Sequence, residues 1–127
     1  MVGHPRPSLP LLIVEDHDDT RNALVRLLHL EGYIVVAARD GEAALDYLRD
    51  GGAAALIVLD LYMPRVDGWM LRMRLLEDPA LANIPVVVFS ARAVGSLPAV
   101  AYANKSDPEA LLNLIDRHSR PMPLDAS

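Results

Sequence analysis

The chain has no cysteine, which excludes a disulfide framework, a thiolate metal site and a cysteine nucleophile. No apolar run approaches the roughly 18 residues that a membrane-crossing helix requires. Lysine and arginine nowhere cluster, and the formal net charge is −5, so a nucleic-acid-binding surface is not expected. The opening MVGHPRPSLPLLIVED lacks the long apolar stretch of a signal peptide, because its apolar run meets Glu15 and Asp16 almost at once. No internal repeat is visible. The expectation is a soluble, cytoplasmic domain.

What is present is apolar content, 52% of 127 residues, enough for the core of one compact domain. Two patterns alternate along the chain. The runs LPLLIV, YIVVAA, ALIVLD, IPVVVFS and AVAYAN are near-continuous, as strands of a parallel sheet covered on both faces are. Between them lie helical segments. The first sets Leu24, Leu27 and Leu28 on one face, is expected to be capped by Asp18 and Asp19, and stops at Gly32. The second runs from Glu42 to about Arg49. The third sets Leu71 and Leu75 one turn apart before Pro79, and the last has Asp107 as N-cap with Pro108 at its first position. Such alternation predicts an α/β doubly wound fold. Residues 1–8 and 120–127 are expected to be flexible flanks of a domain over 9–119.

The polar residues then fall in one place. Ligands of doubly wound sheets bind at the carboxyl ends of the strands. The first strand run ends in Glu15 and Asp16, the third in Asp60, the fourth in Ser90 and the fifth in Lys105. Clustered carboxylates repel unless a cation holds them, and oxygen-only donors suit Mg²⁺. A dication beside a carboxylate, a hydroxyl and an ammonium makes a receptacle for a transferring phosphoryl group, whose chemistry needs mainly positioning and charge neutralisation. Asp60 is the expected nucleophile, forming an aspartyl phosphate. Lys105 and the Ser90 hydroxyl would take up the phosphoryl oxygens.

The motifs VEDHDDTR, VLDLYMPRVDGW, VVVFSA and AYANK, in this order, resemble those of response-regulator receiver domains over about residues 9–119. The resemblance implies a flavodoxin-like five-stranded parallel sheet in the order 2-1-3-4-5. It makes Glu15 and Asp16 metal-binding carboxylates and Asp60 the phosphoacceptor. The Tyr62 backbone carbonyl becomes a further Mg²⁺ ligand, Pro64, Asp67 and Gly68 shape the loop, and Ser90 and Tyr102 form the switch. It implies a histidine kinase or phosphotransfer protein as donor, a downstream protein target, and no enzymatic activity beyond the chain's own phosphorylation and dephosphorylation. With no output domain expected after the receiver, the expected product is a changed protein-binding surface.

Two departures from that pattern stand out. Ser106 occupies the place where the family usually has a proline joined through a cis peptide, and a cis bond before serine is unfavourable. The connection ARAVGSLP between strands four and five is about two helical turns short, so the fourth helix is expected to be absent or reduced to one turn. The loss would bare an apolar face on the strand-four and strand-five side, a candidate homodimer surface. It also keeps an alternative open, a receiver-like interaction module without phosphorylation-dependent switching. A haloacid-dehalogenase-type enzyme would need an acidic residue at Tyr62, and an FMN carrier's phosphate would be repelled by EDHDDT.

Overall fold

The computed structural model describes residues 6–61, 63, 67–91 and 98–119. Along the chain the elements are β1 (Leu11–Val14), α1 (Asp18–Leu30), β2 (Val35–Ala38), α2 (Gly41–Arg49) and β3 (Leu56–Leu59). They continue as α3 (Gly68–Glu77), β4 (Val86–Ser90), β5 (Ala101–Asn104) and α4 (Pro108–His118).

The strands pair in parallel in the order β2-β1-β3-β4-β5, the doubly wound arrangement that the alternating pattern predicts. Every residue of β1, β3 and β4 is buried, whereas the edge strands β2 and β5 are only partly covered. Successive strand residues face opposite sides of the sheet, and two apolar layers result. On one side Leu12, Val14, Ile57 and Leu59 pack with Leu45, Leu71 and Leu75 from α2 and α3. On the other, Leu11, Ile13, Val58 and Phe89 pack with Leu24, Leu28, Leu111 and Ile115 from α1 and α4. Each such buried side chain contributes about 1.5–3 kcal/mol of transfer free energy.

Local signals set the helix starts. Asp40, Asp67 and Asp107 accept hydrogen bonds from the N–H groups of Ala43, Met70 and Ala110, each satisfying a donor that the first turn leaves open. Helix α1 departs from expectation. Its N-cap is His17, whose Nδ1 accepts from Thr20 N at 3.3 Å, while Asp18 and Asp19 fall inside the first turn. The Glu15 carboxylate explains the shift, because it holds the His17 N–H at 3.1 Å and keeps that residue outside the helix. The helix stops where predicted, with Gly32 at a φ of 93° that other residues rarely adopt.

Among the described residues no helix lies between β4 and β5; residues 92–97 fall outside them. Arg6 and Pro7, inside the segment expected to be flexible, lie against the domain. Pro7 is buried, and Arg6 donates to the Glu31 carbonyl, the Tyr33 hydroxyl and Asp116 while its guanidinium covers the Tyr33 ring. The apolar stem and forked head of one arginine thus tie the chain start to the ends of α1 and α4.

Helix α3 buries a cation. Arg72 is 8% exposed and donates from Nε to the Pro98 carbonyl at 2.6 Å, but its buried Nη1 finds no hydrogen-bond partner among the described residues. Burial lowers its pKa. Desolvation without compensation is unfavourable, so the aliphatic part of the side chain does most of the packing. Arg72→Met is therefore expected to leave the urea midpoint unchanged, or to raise stability by up to about 1 kcal/mol, the size of one unmet hydrogen bond. A loss above about 2 kcal/mol would show that the Pro98 contact outweighs the buried charge.

Candidate functional site

Parallel register brings the chemistry to one edge of the sheet. Val14 and Leu59 are in register, so the residues that follow them, Glu15 and Asp60, emerge side by side. Asp60 N donates to the Val14 carbonyl at 3.1 Å, and Lys105 N donates to the Ser90 carbonyl at 3.0 Å. Each strand end is thereby locked to its neighbour at the point where its polar residue begins.

Carboxylate oxygens of Glu15, Asp16 and Asp60 lie within 4.8 Å of one another. Glu15 and Asp60 are buried, at 2% and 5% exposure, and Asp16 is exposed. The Lys105 ammonium enters this group, 2.6 Å from Glu15 Oε1 and 3.3 Å from Asp60 Oδ2. An open cleft of about 350 Å³ is lined by these residues with His17, Thr20 and Ala91.

The electrostatics follow from burial and charge. Glu15 is pushed above the usual carboxylate range by burial, against the opposing hydrogen bonds from Lys105 and the His17 N–H; the Asp60 charge adds to the rise. Burial pulls the Lys105 pKa down, yet the hydrogen bond to Glu15 and the fields of Asp60 and Glu15 prevail, and the net shift is upward. The two directions pull opposite ways on one ion pair. The short contact to Glu15 and the field of Asp60 keep the Lys105 ammonium charged throughout the neutral range. Formally, the carboxylates exceed the ammonium by two negative charges, the charge of one divalent cation. Their oxygen-only donors suit a hard ion.

Of the residues singled out in the sequence, Glu15, Asp16, Asp60 and Lys105 are brought together. Ser90 closes β4 at the same edge, 1% exposed and in register with Asn104. Tyr102 lies on the β5 edge strand, 39% exposed and in register with Val88. Tyr62 and Pro64 lie outside the described residues. The Lys105–Ser106 peptide is trans, as expected for a bond before serine.

Sequence reasoning missed Arg21. Its Nη1 donates to the Glu15 carbonyl at 3.1 Å and its Nη2 to Asp18 Oδ1 at 2.6 Å, pinning the acidic loop to α1. A cation one turn into the helix after an acidic pair is the signal that marks it. It also missed His17, whose backbone and imidazole both take part in the loop.

Known proteins resemble this chain in sequence and in fold. The family model described as response regulator receiver domain matches residues 11–112. The Arabidopsis thaliana two-component response regulator ARR7 is 33% identical over 116 residues, covering 84% of this chain and 55% of that protein. Protein-glutamate methylesterase/protein-glutamine glutaminase 6 of Anaeromyxobacter dehalogenans is 44% identical over 91 residues, covering 68% of this chain and 24% of that protein. The chain thus spans about half or less of the length of these curated relatives. The crystal structure of a CheY-like response regulator receiver domain protein from Methanospirillum hungatei has a TM-score of 0.74 at 26% identity. That match covers 85% of this chain and 91% of the other. The chain belongs to the response regulator receiver domain family.

Proposed function

We propose that this chain is a phosphoacceptor receiver in two-component signalling and that Asp60 accepts the phosphoryl group. The observation that carries the reading is the convergence of Glu15, Asp16 and Asp60 with Lys105, the chain's only lysine, at one strand edge. A structural ion pair would need one carboxylate. Three around one ammonium leave charge for a dication and a reactive oxygen.

In this reading an Asp60 carboxylate oxygen forms a bond to phosphorus as the bond from phosphorus to the donor breaks. The donor, a phosphohistidine imidazole or an acyl phosphate, leaves with the electron pair. The Lys105 ammonium neutralises one phosphoryl oxygen and the Ser90 hydroxyl donates to another. Glu15, Asp16 and Asp60, with the Tyr62 carbonyl, would hold Mg²⁺, which when bound supplies neutralisation of the transferring charge. Arg21 and His17 keep the acidic loop in place, so that little reorganisation remains for the reaction.

The partners of this reading are a histidine kinase or phosphotransfer protein and a downstream protein. The exposed Val100 and Tyr102 of the β5 side offer a surface for the latter or for a second copy. Within the described residues no helix is long and apolar enough to cross a membrane.

Incubation with acetyl phosphate and Mg²⁺, followed by intact mass, tests the reading. One phosphoryl group should add, and addition should require the metal. A protein that never takes up phosphoryl under these conditions is an interaction module with the receiver fold only. Metal binding is tested separately. Because Mg²⁺ would bind the native state alone, a tenfold excess over its dissociation constant should stabilise the domain by about 1.4 kcal/mol. Asp16→Asn should lose most of that gain. An unchanged melting curve at about 10 mM Mg²⁺, roughly tenfold above the dissociation constants of weak oxygen-donor Ca²⁺ sites, would remove the acidic cluster as a metal site.

A further inference from the structure

The ammonium at the centre of the site sits on a long, flexible stem, and its aim depends on the backbone that carries it. Lys105 is the residue directly after β5, and only Ser106 and the capping Asp107 separate it from α4. Two groups of Asn104 hold this corner. Its carbonyl accepts the Asp107 N–H at 2.8 Å, closing a four-residue turn. Its side-chain Oδ1 accepts the Ser106 N–H at 2.8 Å. An asparagine at the first position of a turn, bonded to the N–H two residues on, mimics one more backbone turn and restricts the residue in between. That residue is Lys105. On its other side the Lys105 N–H is held by the Ser90 carbonyl.

We infer that Asn104 is the positioning residue of the site, its side chain fixing the turn that presents the Lys105 ammonium to Glu15 and Asp60. Its effect on phosphorylation, though not on the lysine itself, rests on the phosphoacceptor reading. The bond exists because residue 106 offers an N–H. A proline there would have none to give. Glutamine at 104 would keep the amide, but its extra methylene carries the acceptor past the Ser106 N–H. Aspartate would keep the acceptor at the same reach. The side chain is exposed, so loosening the turn frees the lysine without emptying any part of the core.

The single lysine makes the test specific. Well below the melting transition, the wild type and the variants Asn104→Ala, Asn104→Gln and Asn104→Asp are treated with formaldehyde and a borohydride reductant. Methylation of Lys105 is followed by peptide mass, and acetyl phosphate labelling in Mg²⁺ is followed in parallel by intact mass. The alanine and glutamine variants should methylate Lys105 about three- to tenfold faster and take up phosphoryl more slowly by a similar factor, the size of one net hydrogen bond. The aspartate variant should methylate no faster than the wild type. Equal methylation in the wild type and the alanine variant overturns the inference, and so does faster methylation with phosphorylation unchanged. If methylation follows the turn while the wild type takes no phosphoryl group, the positioning of the lysine stands and the phosphoacceptor reading falls.

Discussion

Asp60→Asn is expected to abolish phosphoryl uptake from acetyl phosphate while leaving the fold intact. The amide is nearly isosteric with the carboxylate, so the β3 end and its hydrogen bond from Asp60 N to Val14 O are kept. What is lost is the nucleophilic oxygen; of the two other carboxylates in the cluster, Glu15 is engaged by Lys105 and the His17 N–H, and Asp16 is exposed to solvent. The stability effect should depend on metal. Without Mg²⁺ the variant removes one of three crowded carboxylates, and Lys105 keeps its shorter contact to Glu15 at 2.6 Å. It should then melt no lower than the wild type, because relief of the repulsion among buried carboxylates offsets the lost contact to Lys105. With saturating Mg²⁺ the order should reverse, because only the wild type keeps the full ligand set. Stoichiometric labelling of the variant would place the acceptor elsewhere.

Gly68→Ala should have the largest effect of any single methyl group near the site. A β-carbon at this position would stand 2.5 Å from the Asp60 carbonyl oxygen and 2.6 Å from Leu61 Cα. Both neighbours are backbone, and neither can swing aside as a side-chain end can. Gly68 N also donates to the Leu61 carbonyl at 3.1 Å, so the start of α3 is drawn onto the end of β3 as closely as a glycine permits. An added methyl must lift α3 from the sheet or displace the Asp60 backbone. We expect a destabilisation of about 1–3 kcal/mol in urea unfolding, typical of overpacking. Phosphorylation should slow by about tenfold or more, since small misplacements of a reacting group are heavily penalised. A variant that folds and labels like the wild type would show that α3 is not what holds the acceptor in place.

Much of this site was legible before any contact was known. The apolar runs around Leu11–Val14, Leu56–Leu59 and Val86–Ser90 are continuous because both faces of those strands are covered, and composition alone carries that signal. The cap at Asp107 acts within three residues and can be read from its neighbours, and the caps at Asp40 and Asp67, which sequence reasoning missed, act over the same short range. The shortness of the β4–β5 connection is a matter of counting. Once the strands are parallel, the polar residues at their ends must share an edge, which is why Glu15, Asp16, Asp60, Ser90 and Lys105 could be grouped from spacing.

The tertiary structure decided what depends on distance across the chain. That Glu15 is the shorter partner of Lys105, rather than Asp60, follows from strand register and burial, neither of which is written locally. His17 caps α1 in place of an aspartate because Glu15, itself oriented by the sheet, holds its N–H. Arg6 joins a segment of unremarkable sequence to Glu31, Tyr33 and Asp116 over separations that no periodicity can reveal. Arg72 reads as a surface cation on α3 until packing buries it. Gly68 reads as a loop-shaping residue until the approach of α3 to β3 shows that only a hydrogen fits between them. Hydrophobic periodicity and capping are short-range and one-dimensional, and the sequence determines them. Which groups meet, and which charges lose their water, is settled only when the layers close.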